Sequence, residues 1–361
     1  MMENHIAASP VRVVAVGRAL PDNYYDQQTL LAAFKARWSH RFHNLDRLEQ
    51  LHANVLVGGR HLALPMQEYD RLQGFADSNN AFIRCAVDLG QRAIEDALAR
   101  SGLGPRDIDH LFFVSVTGIA TPSIDARLVN RLGLRPDVKR TPIFGLGCVA
   151  GAAGVARAAD YLRGFPGEVA VLLSVELCSL TLQKEDLSIP NIISSGLFGD
   201  GAAAVVLTNR APGQATGAPE VVATRSVFYP DTEYVMGWDI TGEGFRVVLS
   251  ADVPDIVEQH VRADVDAFLD DHGLDRQQIA SYVCHPGGPR VLQAFEHALE
   301  LKSDALRVTW DSLAHLGNLS SASILMVLAD TMHDHRPAPG SHGLMIAMGP
   351  GFCSELVLLR W

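Results

Sequence analysis

One stretch constrains this chain more than any other: Pro142 to Gly154, which reads Pro-Ile-Phe-Gly-Leu-Gly-Cys-Val-Ala-Gly-Ala-Ala-Gly. An apolar run ends in glycines, a single cysteine follows, and a small-residue helix begins at once. That order spells a strand-to-helix elbow with a thiol, Cys148, at its tip. Glycines let the backbone turn sharply and let a ligand come close. The helix start sets partly positive N–H groups beside the sulfur, which favours thiolate over thiol. Such a cysteine is either a nucleophile or one more buried small apolar side chain. The rest of the chain decides between the two.

A chain of 361 residues that is 48% hydrophobic can bury a large core, as about two domains or one fused unit. A net charge of −11 argues against nucleic acid or an anionic membrane as the main partner. Cys85, Cys148, Cys178, Cys284 and Cys353 are odd in number, scattered, and contain no CxxC pair. They read as free thiols in a reducing cytoplasm, with neither a disulfide framework nor a metal site. The opening Met1-Met2-Glu3-Asn4-His5 has no basic segment or long apolar run, so no signal peptide is expected. No stretch approaches the length of a membrane span. The expectation is a soluble, cytoplasmic protein.

Along the chain, Val11 to Gly17 reads as a first strand closed by glycine, and 26–38 and 45–53 as charged surface helices. A long helix capped by Asn79 or Asn80 buries Phe82, Ala86, Leu89, Ala93, Ala97 and Leu98 up to Gly102. Continuous apolar runs at 110–116, 169–175 and 202–207 read as strands covered on both faces. Residues 209–220 have linker composition. Beyond them the grammar repeats: strands at 221–228, 245–249, 279–284, 343–348 and 353–359, and helices at 253–271, 289–301, 305–316 and 320–332. Both halves close on a glycine turn and an apolar strand: Phe198-Gly199-Asp200-Gly201 before 202–207, and Met348-Gly349-Pro350-Gly351 before 353–359. This predicts a duplicated α/β unit, its halves at 1–210 and 211–361, with sheets stacked between helical layers.

A thiolate needs a proton partner and donors for any developing oxyanion. Two residues in glycine-bounded loops of the second half fit. His285 ends a strand before Pro286-Gly287-Gly288, and Asn318 follows Gly317 and precedes Leu319-Ser320-Ser321. Taken singly, a histidine among 14 is more often structural, and an Asn after Gly is more often a helix cap. Both nevertheless stand where α/β folds place ligands, at strand ends and tight turns.

With their local wording, the three residues resemble those of the type III polyketide synthases, the chalcone synthase-like branch of the thiolase-fold superfamily. The resemblance runs through Gly147-Cys148, Leu197-Phe198-Gly199-Asp200-Gly201-Ala202, Cys284-His285-Pro286-Gly287-Gly288-Pro289, Gly317-Asn318-Leu319-Ser320-Ser321 and Gly349-Pro350-Gly351. Val175-Glu176-Leu177-Cys178-Ser179-Leu180-Thr181 looks microbial rather than plant-like. The resemblance implies a five-layered αβαβα fold. It implies that Cys148 takes an acyl group from coenzyme A, and that His285 pairs with the sulfur as an imidazolium. His285 and Asn318 together would hold the thioester oxygen while malonyl-CoA loses carbon dioxide. Phe198 and Phe245 match gatekeeper phenylalanines, and Gly349, Pro350 and Gly351 would shape the cavity floor.

Cys178 falls at a cavity-wall position and is either cavity-lining or simply buried. Arg290 follows the Pro-Gly-Gly-Pro run, where its cation either meets a coenzyme A phosphate or caps a helix face. Gly287 and Gly288 adjoin that site. Basic residues near the N-terminus that would grip coenzyme A reduce to Arg60 and Arg47. Thr121 occupies an interface position whose side chain would enter the partner's cavity in a homodimer. No cofactor is implied beyond the acyl-CoA and malonyl-CoA substrates, and the expected product is of alkylpyrone or alkylresorcinol type. The nearest rival is an initiating beta-ketoacyl-acyl carrier protein synthase, disfavoured by the Pro-Gly-Gly and Gly-Pro-Gly runs. A catalytically dead scaffold is disfavoured by the intact Cys, His and Asn.

Overall fold

The computed structural model describes residues 9–41, 44–210 and 217–361. The opening residues Met1 to His5 and the middle of the 209–220 linker therefore lie outside the described residues. In the first half the order is β1 (Arg12–Ala19), β2 (Asn23–Asp26), α1 (Gln27–Trp38), α2 (Leu45–Asn54), β3 (Gly59–Leu62), α3 (Gly74–Ser101), β4 (His110–Val114), α4 (Ile124–Leu132), β5 (Lys139–Ile143), α5 (Ala150–Gly164), β6 (Val169–Leu177), α6 (Ile189–Leu197) and β7 (Asp200–Thr208). The second half runs β8 (Glu220–Phe228), β9 (Met236–Thr241), β10 (Gly244–Leu249), α7 (Val253–Asp270), β11 (Ile279–Cys284), α8 (Pro289–Ala298), α9 (Arg307–Leu316), α10 (Ser323–His333), β12 (His342–Gly349) and β13 (Cys353–Arg360).

The duplication is visible in the strand pairing. In the first half the order is β1-β7-β6-β4-β5, with β1 antiparallel to β7, β7 antiparallel to β6, and β4 parallel to β6. In the second it is β8-β13-β12-β11, with the same three senses in the same places. A single pairing, Arg12 with Glu220, joins the two sheets edge to edge. The first half carries β5 as an additional edge strand.

Three apolar cores separate five layers. Helix α3 packs its Ala/Leu/Ile face on the outer side of β1, β6 and β7. Helices α5 and α10 fill the space between the two sheets, where Val155, Ala156 and Ala159 meet Leu325, Val357 and Leu172. Helices α7 and α8 cover the far side of β11, β12 and β13. The alanine-rich sequence of α5 explains its place: only small side chains let one helix sit against two sheets and a second helix at native packing density. This is the five-layered αβαβα arrangement.

Three local expectations change. β1 does not stop at Gly17; it runs to Ala19, and Gly17 lies under the α3 backbone, where a Cβ would stand 2.2 Å from the Ala97 nitrogen. Helix α3 begins at Gly74, before Asn79. Asn79 instead clamps the β4–α4 loop, donating to the Ile119 carbonyl at 2.9 Å and accepting from the Ile119 N–H at 2.8 Å. Third, β10 is half of a separate hairpin with β9, whose mixed Met-Gly-Trp-Asp-Ile-Thr sequence shows no clear alternation.

Candidate active site

The elbow forms as its wording implies. β5 ends at Ile143, a 3-10 turn spans Gly147–Val149, and α5 follows directly. Gly147 adopts φ +57°, and a Cβ there would lie 2.6 Å from Pro350 Cδ, so glycine is required on both counts. The Gly349-Pro350-Gly351 turn of the other half thus braces the backbone under Cys148. A Cβ on Gly349 would likewise meet the Val149 nitrogen at 2.7 Å.

Cys148 is 8% exposed, and its Sγ lies 3.6 Å from Ser320 Oγ. Burial pushes its thiol up to about 12; the Ser320 contact lowers it, and the Glu176 carboxyl adds to the rise. This reverses the expectation of a resting thiolate. A helix N-terminus contributes roughly 0.3–1 kcal/mol, which is less than removing a thiolate from water costs.

His285 follows β11, its backbone N–H donating to the Ile346 carbonyl at 2.9 Å. It is 4% exposed, and neither ring nitrogen has a hydrogen-bond partner among the described residues. Burial drops its pKa to about 3, so the resting ring is neutral and the imidazolium expected from the sequence is not the ground state. Two buried neutral groups gain by becoming charged only together, since each ion then offsets the desolvation of the other.

Asn318 is held by backbone. Its N–H donates to the Leu197 carbonyl at 2.9 Å, and its carbonyl accepts from Gly199 N–H at 3.0 Å. Gly317 before it has φ +72°, and a Cβ there would sit 2.6 Å from Leu197 O. The side-chain amide donates to the Gly287 carbonyl at 3.3 Å, and Oδ1 accepts from Ser320 N–H at 2.8 Å. Hydrogen bonds therefore join the His285–Gly288 loop to Asn318 and Ser320, and Ser320 touches the nucleophile. Gly287 and Gly288 belong to this cluster. Arg290 stands exposed on the first turn of α8, with no ion pair among the described residues.

A cavity of about 760 Å³ reaches Phe198, the bridge partner of Asn318, while Cys148, His285 and Asn318 themselves are not among its lining residues. Its lining mixes polar Tyr69, Cys178, Ser179 and Thr181 with apolar Leu30, Phe34, Met66 and Trp238 and with charged Arg37, Asp70 and Lys184. Cys178 is thus cavity-lining as well as buried. It lies within electrostatic range of Cys148, and burial raises its thiol. Phe245 does not line this cavity; it packs edge-on against Phe75 at 5.3 Å and beside Phe144 at 6.4 Å. Thr121 is exposed on the β4–α4 loop, outside its own chain's cavity. A larger cleft of about 1490 Å³ beside α7 contains none of the expected site residues.

Arg60 is a correction. It is 2% exposed, and its guanidinium donates to Gln27 Oε1 and to the carbonyls of Ser195 and Gly196, with Asp200 nearby. A cation so enclosed anchors α6 through three of its five N–H donors, so it is no surface cation although it also lines the cavity. Arg47, at the start of α2, makes a backbone contact to Asn44.

Glu176 escaped notice beforehand. Fully buried at the end of β6, its carboxyl accepts from Val116 N–H at 3.1 Å, Thr117 Oγ1 at 2.8 Å and Ser321 Oγ. Burial raises it to about 7. A lone acid inside an all-apolar strand was the available signal.

Family descriptions match both halves: "Chalcone and stilbene synthases, N-terminal domain" over residues 1–211 and the corresponding C-terminal domain over 220–361. The chain is 50% identical over 350 residues to a 1,3,6,8-tetrahydroxynaphthalene synthase of Streptomyces peucetius subsp. caesius, covering 97% of this chain and 93% of that one. It is 36% identical to a putative chalcone synthase of Bacillus subtilis (strain 168), covering 97% and 98%. The crystal structure of 1,3,6,8-tetrahydroxynaphthalene synthase from Streptomyces coelicolor A3(2), a bacterial type III polyketide synthase, superposes with a TM-score of 0.92. That match is at 30% identity over 97% of this chain and 99% of that one.

Proposed function

The chain belongs to the chalcone and stilbene synthase family of type III polyketide synthases, and from that premise we propose that Cys148 carries the growing polyketide while His285 and Asn318 serve the condensation. As an enzyme of this family it is an acyltransferase. In the proposed cycle, Cys148 Sγ attacks the acyl-CoA carbonyl, its proton passes to His285, and coenzyme A leaves as the thiol after reprotonation. Malonyl-CoA then enters. Its carbon–carboxylate bond breaks, carbon dioxide departs, and the electron pair delocalises onto the thioester oxygen. His285 and Asn318 N–H groups hold that oxygen. The enolate carbon attacks the Cys148 thioester, releasing the cysteine and leaving a chain two carbons longer on coenzyme A.

The orphaned ring nitrogens of His285 carry this reading. A buried imidazole without a partner is costly unless a ligand completes it. Preorganised donors in a dry site stabilise a developing oxyanion more than water does. Gly287, Gly288 and exposed Arg290 are assigned to the coenzyme A entrance. Residues 1–210 and 211–361 are read as the two halves. The open edge of β5, with Phe144 50% and Ile119 46% exposed beside it, supports a homodimer with Thr121 near the partner's cavity.

For the product, the polar lining residues Tyr69, Cys178, Ser179 and Thr181 suit a chain of alternating carbonyls. Together with the 50% identity to a tetrahydroxynaphthalene synthase, they support an aromatic polyhydroxylated product built from malonyl units alone. The apolar lining residues Leu30, Phe34 and Met66 favour a second reading: a fatty acyl starter and an alkylpyrone or alkylresorcinol product. The purified chain, given malonyl-CoA alone and then a ladder of acyl-CoA starters without carrier protein, decides by mass spectrometry. A naphthalene product from malonyl-CoA alone upholds the first reading. Condensation only when a long acyl starter is added upholds the second, and no multiply extended product in either case overturns both.

A further inference from the structure

The cavity wall holds a hydroxyl chain that the condensation cycle does not use. Tyr69, on the 3-10 turn after β3, lines the cavity together with Phe198, Cys178 and Ser179. Its phenol oxygen contacts Ser179 Oγ and accepts from the Leu64 N–H at 3.3 Å. Ser179 Oγ donates in turn to Asp200 Oδ2. Asp200 is fully buried at the start of β7, and its carboxyl also accepts from Ser179 N–H at 2.8 Å and Ala63 N–H at 2.6 Å, with Arg60 nearby.

The proton directions follow from this order. A carboxylate only accepts, so the Ser179 hydroxyl proton is committed to Asp200. Ser179 oxygen must then accept from the phenol, and Tyr69 is left as the one member of the chain whose proton can be re-aimed. Burial and the neighbouring Asp200 charge raise the phenol well above its ordinary value. It is therefore a neutral donor and never a base. Turning it from Ser179 to a carbonyl in the cavity exchanges one hydrogen bond for another of the same kind.

We propose that Tyr69 is a specificity-determining donor that holds one keto carbonyl of the growing chain, fixing the fold in which the chain closes its ring. This rests on the reading of the chain as a polyketide synthase extending with malonyl-CoA. Cys178 connects the two sites, being adjacent to Ser179 in sequence and within electrostatic range of Cys148. Ser179 and Asp200 are positioning residues: they park the phenol when the cavity is empty.

The test measures two quantities in the full-length chain supplied with malonyl-CoA: coenzyme A release, and the fraction of product that is aromatic rather than lactone. Tyr69→Phe should lower the aromatic fraction at least tenfold more than it lowers coenzyme A release. Ser179→Ala removes the resting acceptor but keeps the donor, so its aromatic fraction should stay several-fold above that of Tyr69→Phe. Equal fractions in the two variants, or an aromatic fraction that falls only in step with coenzyme A release, would overturn the assignment. Should Tyr69→Phe fail to fold, Ser179→Ala decides alone. A disproportionate loss of aromatic product there overturns the assignment, and a proportionate one supports it. A wild-type chain that forms no condensation product would sink the proposed function instead.

Discussion

Asn318 and Phe198 are joined as partners in an isolated parallel β-bridge, flanked by hydrogen bonds from Asn318 N–H to the Leu197 carbonyl and from Gly199 N–H to the Asn318 carbonyl. A polar residue of the second half and an aromatic of the first are thereby held in one backbone register, although 120 positions of sequence separate them. The backbone of Asn318 is placed by main chain, so truncating its side chain removes the oxyanion donor together with its contacts to the Gly287 carbonyl and Ser320 N–H while the bridge to Phe198 remains. Asn318→Ala should lower malonyl-CoA decarboxylation by about 10²–10³, with a loss of only about 1–2 kcal/mol in stability. Carbon dioxide release and a thermal melt separate the two effects; a rate within threefold of wild type would remove Asn318 from the oxyanion role.

Burial, with a smaller contribution from the Glu176 carboxyl, pushes the Cys148 thiol up to about 12. Without an imidazole to receive the proton, His285→Gln should label with iodoacetamide very slowly at pH 7. Its rate should climb about tenfold per pH unit through the alkaline range. Wild type should react faster at neutrality with a flatter profile, because proton transfer to His285 creates the thiolate below the isolated thiol pKa. Two superimposable profiles would show that the histidine does not take the thiol proton.

Gly147→Ala tests the brace beneath the elbow. The substitution places a Cβ 2.6 Å from Pro350 Cδ at a backbone with φ +57°. A loss of about 2–4 kcal/mol is expected. Pro350→Ala in the same chain should restore part of it, giving a coupling of about 0.5–3 kcal/mol in a double-mutant cycle. Strictly additive effects in urea titrations would deny the contact.

Glu176 gives a pH signature. Its folded pKa, raised by burial to about 7, exceeds the ordinary 4.5. The folded chain therefore binds this proton more tightly than the unfolded one. The Glu176 contribution to stability is greatest below pH 4.5 and is lost as the pH rises through 7. Glu176→Gln does not titrate, so its stability relative to wild type should improve by up to about 1.4 kcal/mol per pH unit within that window and level off above it. A constant difference between the two from pH 4 to pH 8 would show that the carboxyl is unperturbed.

The parts of the fold that were legible share one property: their signal is local. The all-apolar runs at Val169 and Ala202 could only be strands buried on both faces, and the small residues after Cys148 could only be a helix with close neighbours. Cys148, His285 and Asn318 were recognisable because glycines mark each backbone that must approach another. What the sequence hid depends on distant partners. Arg60 looks like a surface cation until Ser195 and Gly196, far along the chain, enclose it. Asn79 looks like a cap until Ile119 is beside it. The resting charge of Cys148 depends on how much water the second half excludes, which no residue near the elbow records. Phe245 carries gatekeeper wording, yet Phe75, Phe144 and Trp238, from three separate segments, decide which aromatic cluster it joins.

The contact between Gly147 and Pro350 also sets an order of events. Synthesis from the N-terminus makes Cys148 well before Pro350, the proline that braces its elbow. Domains generally fold as units, N-terminal first. Until residue 285 is made the nascent sulfur has neither its brace nor its histidine. The brace and the histidine reach the sulfur only once the second half has been made, so the Cys148 site is assembled by the joining of the two halves.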